Sequence, residues 1–188
     1  MKKSTLAAVT LTVLIGLVSY TTAQKQSASA LKSEALSTQD EAAVREVVAE
    51  YAKAWNRHDM KAMHDLNTDD VEWINVTANH WRGNAAVLKG HSTIHRTIFA
   101  KTDMGVAKTL VRSVTPGVAL AVATMKFGPI TIPTGEVLAE LRTRGTFTMV
   151  KQGATWKIVH FQNTNIDADA EKNDPITWDE TGFLPGGK

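Results

Sequence analysis

Apolar residues recur at helical spacing from Thr38 to about His58. The face that this spacing predicts carries Val44, Val47, Val48, Tyr51 and Trp55. Thr38 and Glu41 stand three residues apart, as in a capping box, so we expect Thr38 to be the N-cap of this helix.

Two further helices are predicted after this one. Asp59 is a favoured N-cap residue type, and it begins a short helix that continues through Met63 and Leu66. The next four residues, Asn-Thr-Asp-Asp at 67–70, are typical of a turn. A longer helix opens at residues 83–84, and its spacing places on one face Val87, His91, Ile94, His95 and Ile98.

The remaining pattern is that of strands. Residues 71–76 alternate, which predicts a strand with Val71, Trp73 and Asn75 on one face. Turn signals at Pro116-Gly117 and Gln152-Gly153, and a longer loop at 129–135, separate four more strand-like runs, at 106–114, 118–127, 136–151 and 155–166. Helices that are segregated from an antiparallel meander predict an α+β fold.

The first 23 residues are typical of a secretory signal peptide. Lys2 and Lys3 precede an apolar run from Leu6 to Val18, and small residues precede a predicted cleavage after Ala23. The run is shorter than the roughly 20 residues that span a bilayer, and no cysteine follows that could carry a lipid. We therefore expect a secreted or periplasmic protein without a membrane anchor.

The rest of the chain divides into three segments. Residues 24–37 are small and polar and predict a flexible linker. Residues 38–168 form the predicted folded domain. Residues 169–188 predict an irregular tail, in which Trp178 and Phe183 are candidate docking anchors.

Charge and cysteine content exclude several classes of function. The net charge of +2 falls to zero without Lys2 and Lys3, because 19 basic and 19 acidic residues then remain. A neutral mature chain gives no support for nucleic-acid binding. The absence of cysteine excludes disulfides and thiol chemistry.

Short motifs follow one another in a characteristic order between residues 38 and 166. They are WNRHD at the end of the first helix, VEWINV on the first strand, HWRG before the third helix, His91 within it, and WKIVHFQNT on the last strand. This set resembles the nuclear transport factor 2-like superfamily, and within it the SnoaL-like group and its SgcJ/EcaC subgroup. The resemblance implies a cone-shaped α+β barrel, in which a curved antiparallel sheet wraps around the long N-terminal helix and encloses a pocket. It also implies a homodimer, since pairing through the outer sheet is common in the superfamily.

Ketosteroid isomerase belongs to the same superfamily and uses an aspartate base with a tyrosine and a protonated aspartic acid as donors. An ungapped comparison places Tyr51 on the catalytic tyrosine and Asn75 on the base. The second donor falls near Phe147 or Thr148, and neither is an acid. An amide cannot accept a proton at neutral pH, so steroid-type isomerisation is disfavoured.

The resemblance nominates His91, Tyr51 and Asn75 as the polar groups around a ligand, with catalytic roles if the protein is an enzyme. Each also has a structural alternative. Tyr51 packs in the core with its hydroxyl bonded locally, Asn75 holds a neighbouring side chain, and His91 is a hydrogen-bonded core histidine. Histidine is the side chain best suited to act as a base near neutral pH.

Four further residues are predicted to line the pocket: Trp55, Trp73, Asn163 and His160. Trp55 has core packing as its alternative. On the last strand the apolar pattern leaves the register open, and Asn163 is the position that matches the family.

The remaining candidates favour structural roles. In the adjacent pair His58-Asp59, the aspartate caps the second helix, and the histidine interacts with the last carbonyls of the first. His91 and His95 lie one turn apart, but no HExxH pattern is present, so we predict no metal site. Glycine-rich nucleotide loops and nucleophile motifs are also missing, and we predict no cofactor.

Two hypotheses about function follow. The first is an exported, dimeric protein that binds a small, largely apolar molecule in the pocket, with cofactor-independent acid–base chemistry if it is an enzyme. The second is a non-enzymatic module for dimerisation or for ligand or peptide binding, which the missing base at Asn75 favours.

Overall fold

The computed structural model describes residues 35–132, 134–138 and 140–173. The predicted signal peptide, most of the predicted linker and the tail anchors Trp178 and Phe183 lie outside these residues. The helices are α1 (Thr38–Asn56), α2 (Met60–His64), α3 (Asn84–His95) and α4 (Ala168–Lys172). The strands are β1 (Asn67–Ile74), β2 (His80–Arg82), β3 (Asp103–Thr115), β4 (Val118–Gly128), β5 (Ile130–Thr131), β6 (Val137–Leu138), β7 (Leu141–Gln152) and β8 (Thr155–Asn165).

Helix α1 forms where its apolar spacing predicts it, and its buried face includes Val44, Val48, Tyr51 and Trp55. The predicted cap is wrong by one residue. Ser37 is the N-cap, because its side chain accepts a hydrogen bond from the Asp40 backbone N–H at 3.0 Å. The N-cap is therefore the last residue of the segment that was predicted to be linker, and Leu36 of the same segment packs against the core.

Asp59 caps α2 as predicted, since its carboxylate accepts a hydrogen bond from the Ala62 backbone N–H. The turn predicted at residues 67–70 is wrong, because these residues begin β1. Neighbouring backbone explains the difference, since Asn67 pairs with Ile158 of β8 and a strand partner overrides the local turn preference.

One six-stranded sheet has the order β2-β1-β8-β7-β4-β3. Strands β3, β4, β7 and β8 form the predicted antiparallel meander. The all-antiparallel prediction is wrong at one seam, because β1 runs parallel to β8. All of the chain between β1 and β8 forms the connection between these two strands. No local sequence signal indicates that they pair.

The sheet curves around α1, which packs against β3, β4 and β8. Strand β4 alternates in burial along its length, with Ala119, Ala121, Ala123 and Met125 turned inward. The three alanines leave room for α1 and for the aromatic side chains of β7 and β8. The predicted α+β class is therefore confirmed.

Residues 169–188 were predicted to be an irregular tail, but the start of this segment is helical. Residues 168–172 form α4, which Asp167 caps. Arg142 on β7 forms an ion pair with Glu171 of this helix at 2.7 Å. Within the described residues, no helix is long and apolar enough to cross a bilayer.

Candidate functional site

A cavity of about 230 Å³ lies between α1, α3 and the inner face of the sheet. Its walls are mainly aromatic and aliphatic, and no Asp, Glu, Lys or Arg is among the described residues that line it. The lining side chains include Tyr51, Trp55, Trp73, Trp81, His91, Ile94, Phe127, Leu141, Phe161 and Asn163.

An aromatic cluster of Tyr51, Trp73, Phe147 and Phe161 packs at one side of the cavity, which Tyr51, Trp73 and Phe161 line. Trp73 of β1 stacks on Phe161 of β8 with ring centroids 4.1 Å apart. The ring centroid of Tyr51 lies 5.7 Å from that of Trp73 and 5.8 Å from that of Phe147, which it meets edge-on. The parallel pairing of β1 with β8 sets Trp73 opposite Phe161, and thereby creates the stack.

The Tyr51 hydroxyl has no hydrogen-bond partner in the described part of the chain, although the ring is buried. Burial raises the pKa of this hydroxyl, so Tyr51 stays protonated and remains a donor. Trp55 differs, since its indole N–H donates to the Thr102 carbonyl at 3.3 Å. Trp55 therefore contributes apolar surface to the cavity.

Trp81 covers helix α3 at a position that only glycine allows. A Cβ on Gly90 would lie 2.7 Å from two ring atoms of Trp81. The indole ring also meets His91 edge-on, with centroids 5.4 Å apart. Sequence reasoning missed both Trp81 and Gly90, because a glycine in a helix carries no signal that a ring lies over it.

Asn75 lines the cavity, but not from the strand face on which it was predicted. Strand β1 ends at Ile74, and Asn75 starts a turn. Its Oδ1 accepts hydrogen bonds from the Thr77 and Asn79 backbone N–H groups and from the Thr77 hydroxyl, at 2.8–3.0 Å. The oxygen of Asn75 is thus committed to the turn.

The structure separates the two candidates on β8. Asn163 lines the cavity, and its Oδ1 is buried without a partner among the described residues. The predicted placement of His160 in the cavity is wrong. His160 pairs with Thr148 and alternates with the buried Phe161, so its side chain points to the opposite face of the sheet.

His91 projects from α3 into the cavity and is buried. Its Nδ1 lies 3.1 Å from Nε2 of His64, at the end of α2. His64 Nδ1 in turn lies 3.0 Å from Asn84 Oδ1, and Asn84 Nδ2 donates to the His64 carbonyl at 3.0 Å. The spacing of apolar residues gave no reason to select His64, since its neighbours in space come from other elements.

A second histidine pair lies at the other end of α3. His58 has a φ of 51°, and it reaches the end of α1 through its backbone N–H, which donates to the Trp55 carbonyl at 2.9 Å, while its ring contacts His95. Its Nδ1 lies 2.8 Å from Nδ1 of His95. The His95 ring packs edge-on against Trp55 at 4.2 Å, and its Nε2 is buried without a partner among the described residues.

Burial governs the protonation of the three rings of His91, His95 and His64. It lowers the pKa of His91 well below the usual range of histidine, and the nearby His64 and His95 add to the effect. Burial likewise lowers the pKa of His95, to about 4. It lowers the pKa of His64 as well, although the Asn84 hydrogen bond and the charge of Asp65 oppose the shift. The rings are therefore neutral at neutral pH.

Histidine rings are common metal ligands. Across residues 35–132, 134–138 and 140–173, no group of three or more His, Asp or Glu side chains is arranged to hold a metal ion.

Comparison with known proteins identifies the fold. Residues 44–164 match the protein-family model of the SnoaL-like domain. Comparison with curated proteins gives no match.

Solved structures agree with the family match. An uncharacterized protein with a cystatin-like fold from Caulobacter vibrioides is 29% identical, covers 72% of this chain and 95% of its own, and has a TM-score of 0.68. An NTF2-like protein from Pseudomonas putida KT2440 is 17% identical, covers 79% and 95%, and has a TM-score of 0.60. A ketosteroid isomerase-like protein from Erwinia carotovora atroseptica is 17% identical, covers 67% and 95%, and has a TM-score of 0.57. The narrower SgcJ/EcaC assignment stays a prediction.

Proposed function

The chain belongs to the SnoaL-like domain family, and we propose that it binds a small, neutral, largely apolar molecule in the cavity between α1, α3 and the sheet. The observation that carries this proposal is an apolar cavity with polar groups of Tyr51, His91 and Asn163 on its walls. The Oδ1 atom of Asn163 is buried without a hydrogen-bond partner among the described residues. A few polar groups on an apolar wall are typical of a small-molecule site.

The volume of the cavity limits the ligand. An apolar cavity of about 150 Å³ holds benzene, and this cavity measures about 230 Å³. One substituted ring therefore fits, whereas the four fused rings of a steroid do not. This agrees with the residues at the base and second-donor positions, Asn75 and Phe147 or Thr148, which also disfavour steroid isomerisation.

The walls also limit the charge of the ligand. A buried ion without a counter-ion is strongly disfavoured, and no Asp, Glu, Lys or Arg lines the cavity among the described residues. His91 cannot supply a positive charge at neutral pH, because burial lowers its pKa well below the usual range. The uncharged lining and the neutral His91 ring therefore both favour a neutral ligand.

Acid–base chemistry is the second candidate function. The His91 ring and the Tyr51 hydroxyl could exchange protons with a bound molecule, and both line the cavity. However, the lowered pKa of His91 makes it a weak base, and the oxygen of Asn75 is committed to its turn. The geometry favours binding over proton abstraction.

The test is a titration with 4-methylphenol, followed through tryptophan fluorescence, since Trp55, Trp73 and Trp81 line the cavity. We expect saturable quenching, and no response to a steroid. His91→Phe keeps a ring but removes both nitrogens, so we expect an affinity about three- to tenfold weaker, as for one lost hydrogen bond.

His160→Phe is the matched control, since His160 lies on the opposite face of the sheet, and it should leave the affinity unchanged. Absence of saturable binding to the wild-type protein would contradict the proposed function. An equal loss in both variants would remove His91 from the site.

Export and dimerisation remain proposals that rest on the sequence. The first 23 residues support export, and the resemblance to the superfamily supports a homodimer.

A further inference from the structure

A hydrogen-bonded chain connects the cavity to the polar side of α2. It runs from His91 through His64 to Asn84, with distances of 3.1 Å and 3.0 Å between the polar atoms. His64 and Asn84 do not line the cavity, but they line a polar depression on the outside, together with Asn67. The proposed function leaves this chain unused.

One backbone atom fixes the orientation of the Asn84 side chain, at the outer end of the hydrogen-bonded series. The His64 carbonyl oxygen can only accept, so the group of Asn84 that faces it at 3.0 Å is the amide Nδ2. The opposite atom of the same amide, Oδ1, therefore faces His64 Nδ1. Asn67 Nδ2 also donates to this oxygen, at 3.1 Å. The amide of Asn84 cannot flip without losing these bonds.

The orientation of Asn84 then determines the proton positions of both rings. An amide oxygen only accepts, so the 3.0 Å contact with Asn84 Oδ1 places the His64 proton on Nδ1 and makes its Nε2 an acceptor. Asn67 Nδ2 lies 3.3 Å from the same Nδ1, but it donates to the closer Asn84 oxygen. His91 Nδ1 must donate to that acceptor, so His91 also carries its proton on Nδ1. His91 Nε2 is left with a free lone pair, and it has no partner within the described residues.

We infer that His64 is a positioning residue, which with Asn84 holds His91 in the Nδ1–H tautomer and so makes the cavity selective for ligands that donate a hydrogen bond. The ligand class is a single ring bearing a hydroxyl or N–H group. This inference rests on the proposed function, because it assigns a chemical class to the ligand of that same cavity. At His91, a ring with only an acceptor, such as a carbonyl or ether, would face a lone pair, and its acceptor would have to turn to a donor such as the Tyr51 hydroxyl.

Protonation of His64 would reverse the arrangement, since both of its nitrogens would then donate. His91 would accept on Nδ1 and donate from Nε2 into the cavity. The charged and titratable groups around His64 are Asp65 beside it, Asp69 and Asp70 from β1, Lys157 from β8, and His91 and His95 from α3. Selectivity for donors should therefore weaken as the pH falls through the His64 transition.

The first experiment reads the tautomers directly in the wild-type protein without ligand. Nitrogen-15 NMR of labelled histidine side chains distinguishes Nδ1–H from Nε2–H, and the spectrum of His91→Phe assigns the His91 signals. We expect Nδ1–H for both His64 and His91 at pH 8. An Nε2–H signal, or an averaged signal, for His91 would overturn the inference.

The second experiment measures selectivity with 4-methylphenol and 4-fluorotoluene, which have similar shapes but differ in the donor. We expect the wild type to prefer the phenol. His64→Leu removes the acceptor that holds His91 in the Nδ1–H tautomer. If that tautomer then makes up about one half of the molecules or less, the affinity for the phenol falls by at least about twofold. The affinity for 4-fluorotoluene should not change, a split that general loss of structure would not produce.

The outcomes separate the inference from the proposed function. An Nδ1–H signal for His91 with no binding of either compound would contradict the proposed function and leave the positioning role intact. Binding without any preference for the phenol would contradict the positioning role alone. His160→Leu provides the matched control, because it removes an imidazole from the opposite face of the sheet.

Discussion

Replacing Trp73 with alanine is expected to destabilise the protein by about 3–5 kcal/mol, as large-to-small changes at buried aromatic residues do. The indole is 2% exposed and stacks on Phe161 at 4.1 Å. It also meets Tyr51 and, edge-on, His91. Removal leaves a void beside the existing cavity, and the curved sheet cannot collapse to fill it. Since domains of this size are stable by about 5–15 kcal/mol, the variant should lie near its unfolding transition.

Equilibrium unfolding in urea, followed by circular dichroism, measures the effect of Trp73→Ala. The control is Leu88→Ala on α3, where the side chain is 37% exposed and the expected change is within about 0.5 kcal/mol. A loss below about 1 kcal/mol for Trp73→Ala would contradict the description of the aromatic cluster as the packed wall of the cavity.

Acidification is expected to destabilise the folded state between about pH 6.5 and pH 5, a range in which most carboxylates remain ionised. Burial lowers the pKa of His95 to about 4 and also lowers the pKa values of His91 and His64. In the unfolded chain, each of these rings takes up its proton at about pH 6.5. Below that pH the unfolded state binds more protons than the folded state, so the free energy of unfolding falls with pH.

For His95 the stabilisation is fully present above about pH 6.5, and it is lost as the pH falls toward its folded pKa. The two pKa values imply a loss of about 2 kcal/mol by pH 5 from this ring alone. The half-buried Asp40 and the exposed Asp65 also have carboxylates with lowered pKa values, but their contribution is lost only at lower pH.

Urea unfolding at pH 7.5, 6 and 5 measures this dependence. His95→Phe keeps a ring against Trp55 and removes the titrating group, so its free energy of unfolding should depend less on pH than that of the wild type. His160→Phe on the outer face should keep the wild-type dependence. An unfolding free energy that stays constant from pH 7.5 to pH 5 would contradict the buried, neutral state of the three rings.

Much of the fold could be predicted from local pattern. The spacing of Val44, Val48 and Tyr51 gave α1, the Asp59 cap gave α2, and turn residues delimited the meander strands. The predictions of secondary structure and strand direction were wrong where a segment pairs with a strand that is distant in sequence. Residues 67–70 have turn composition but become strand because β8 lies beside them, and the parallel seam has no local signature.

The candidate site divides in the same way. Tyr51, Trp73 and His91 lie on the cavity wall, because helical and strand periodicity determine which way they point, whereas Asn163 was selected by its match to the family. His160 was misplaced because the apolar pattern of β8 did not settle its register. His64 and Trp81 were missed because each acquires its role from a partner on another element, His91 for the first and Gly90 for the second.

The most direct test of ligand binding in this cavity is a crystal soaked with 4-bromophenol, in which anomalous scattering locates the bromine. We predict one bromine peak within the cavity bounded by Trp73, His91 and Phe127, with the phenol oxygen within hydrogen-bonding distance of His91 Nε2. An empty cavity beside bromine peaks confined to the protein surface would contradict the account.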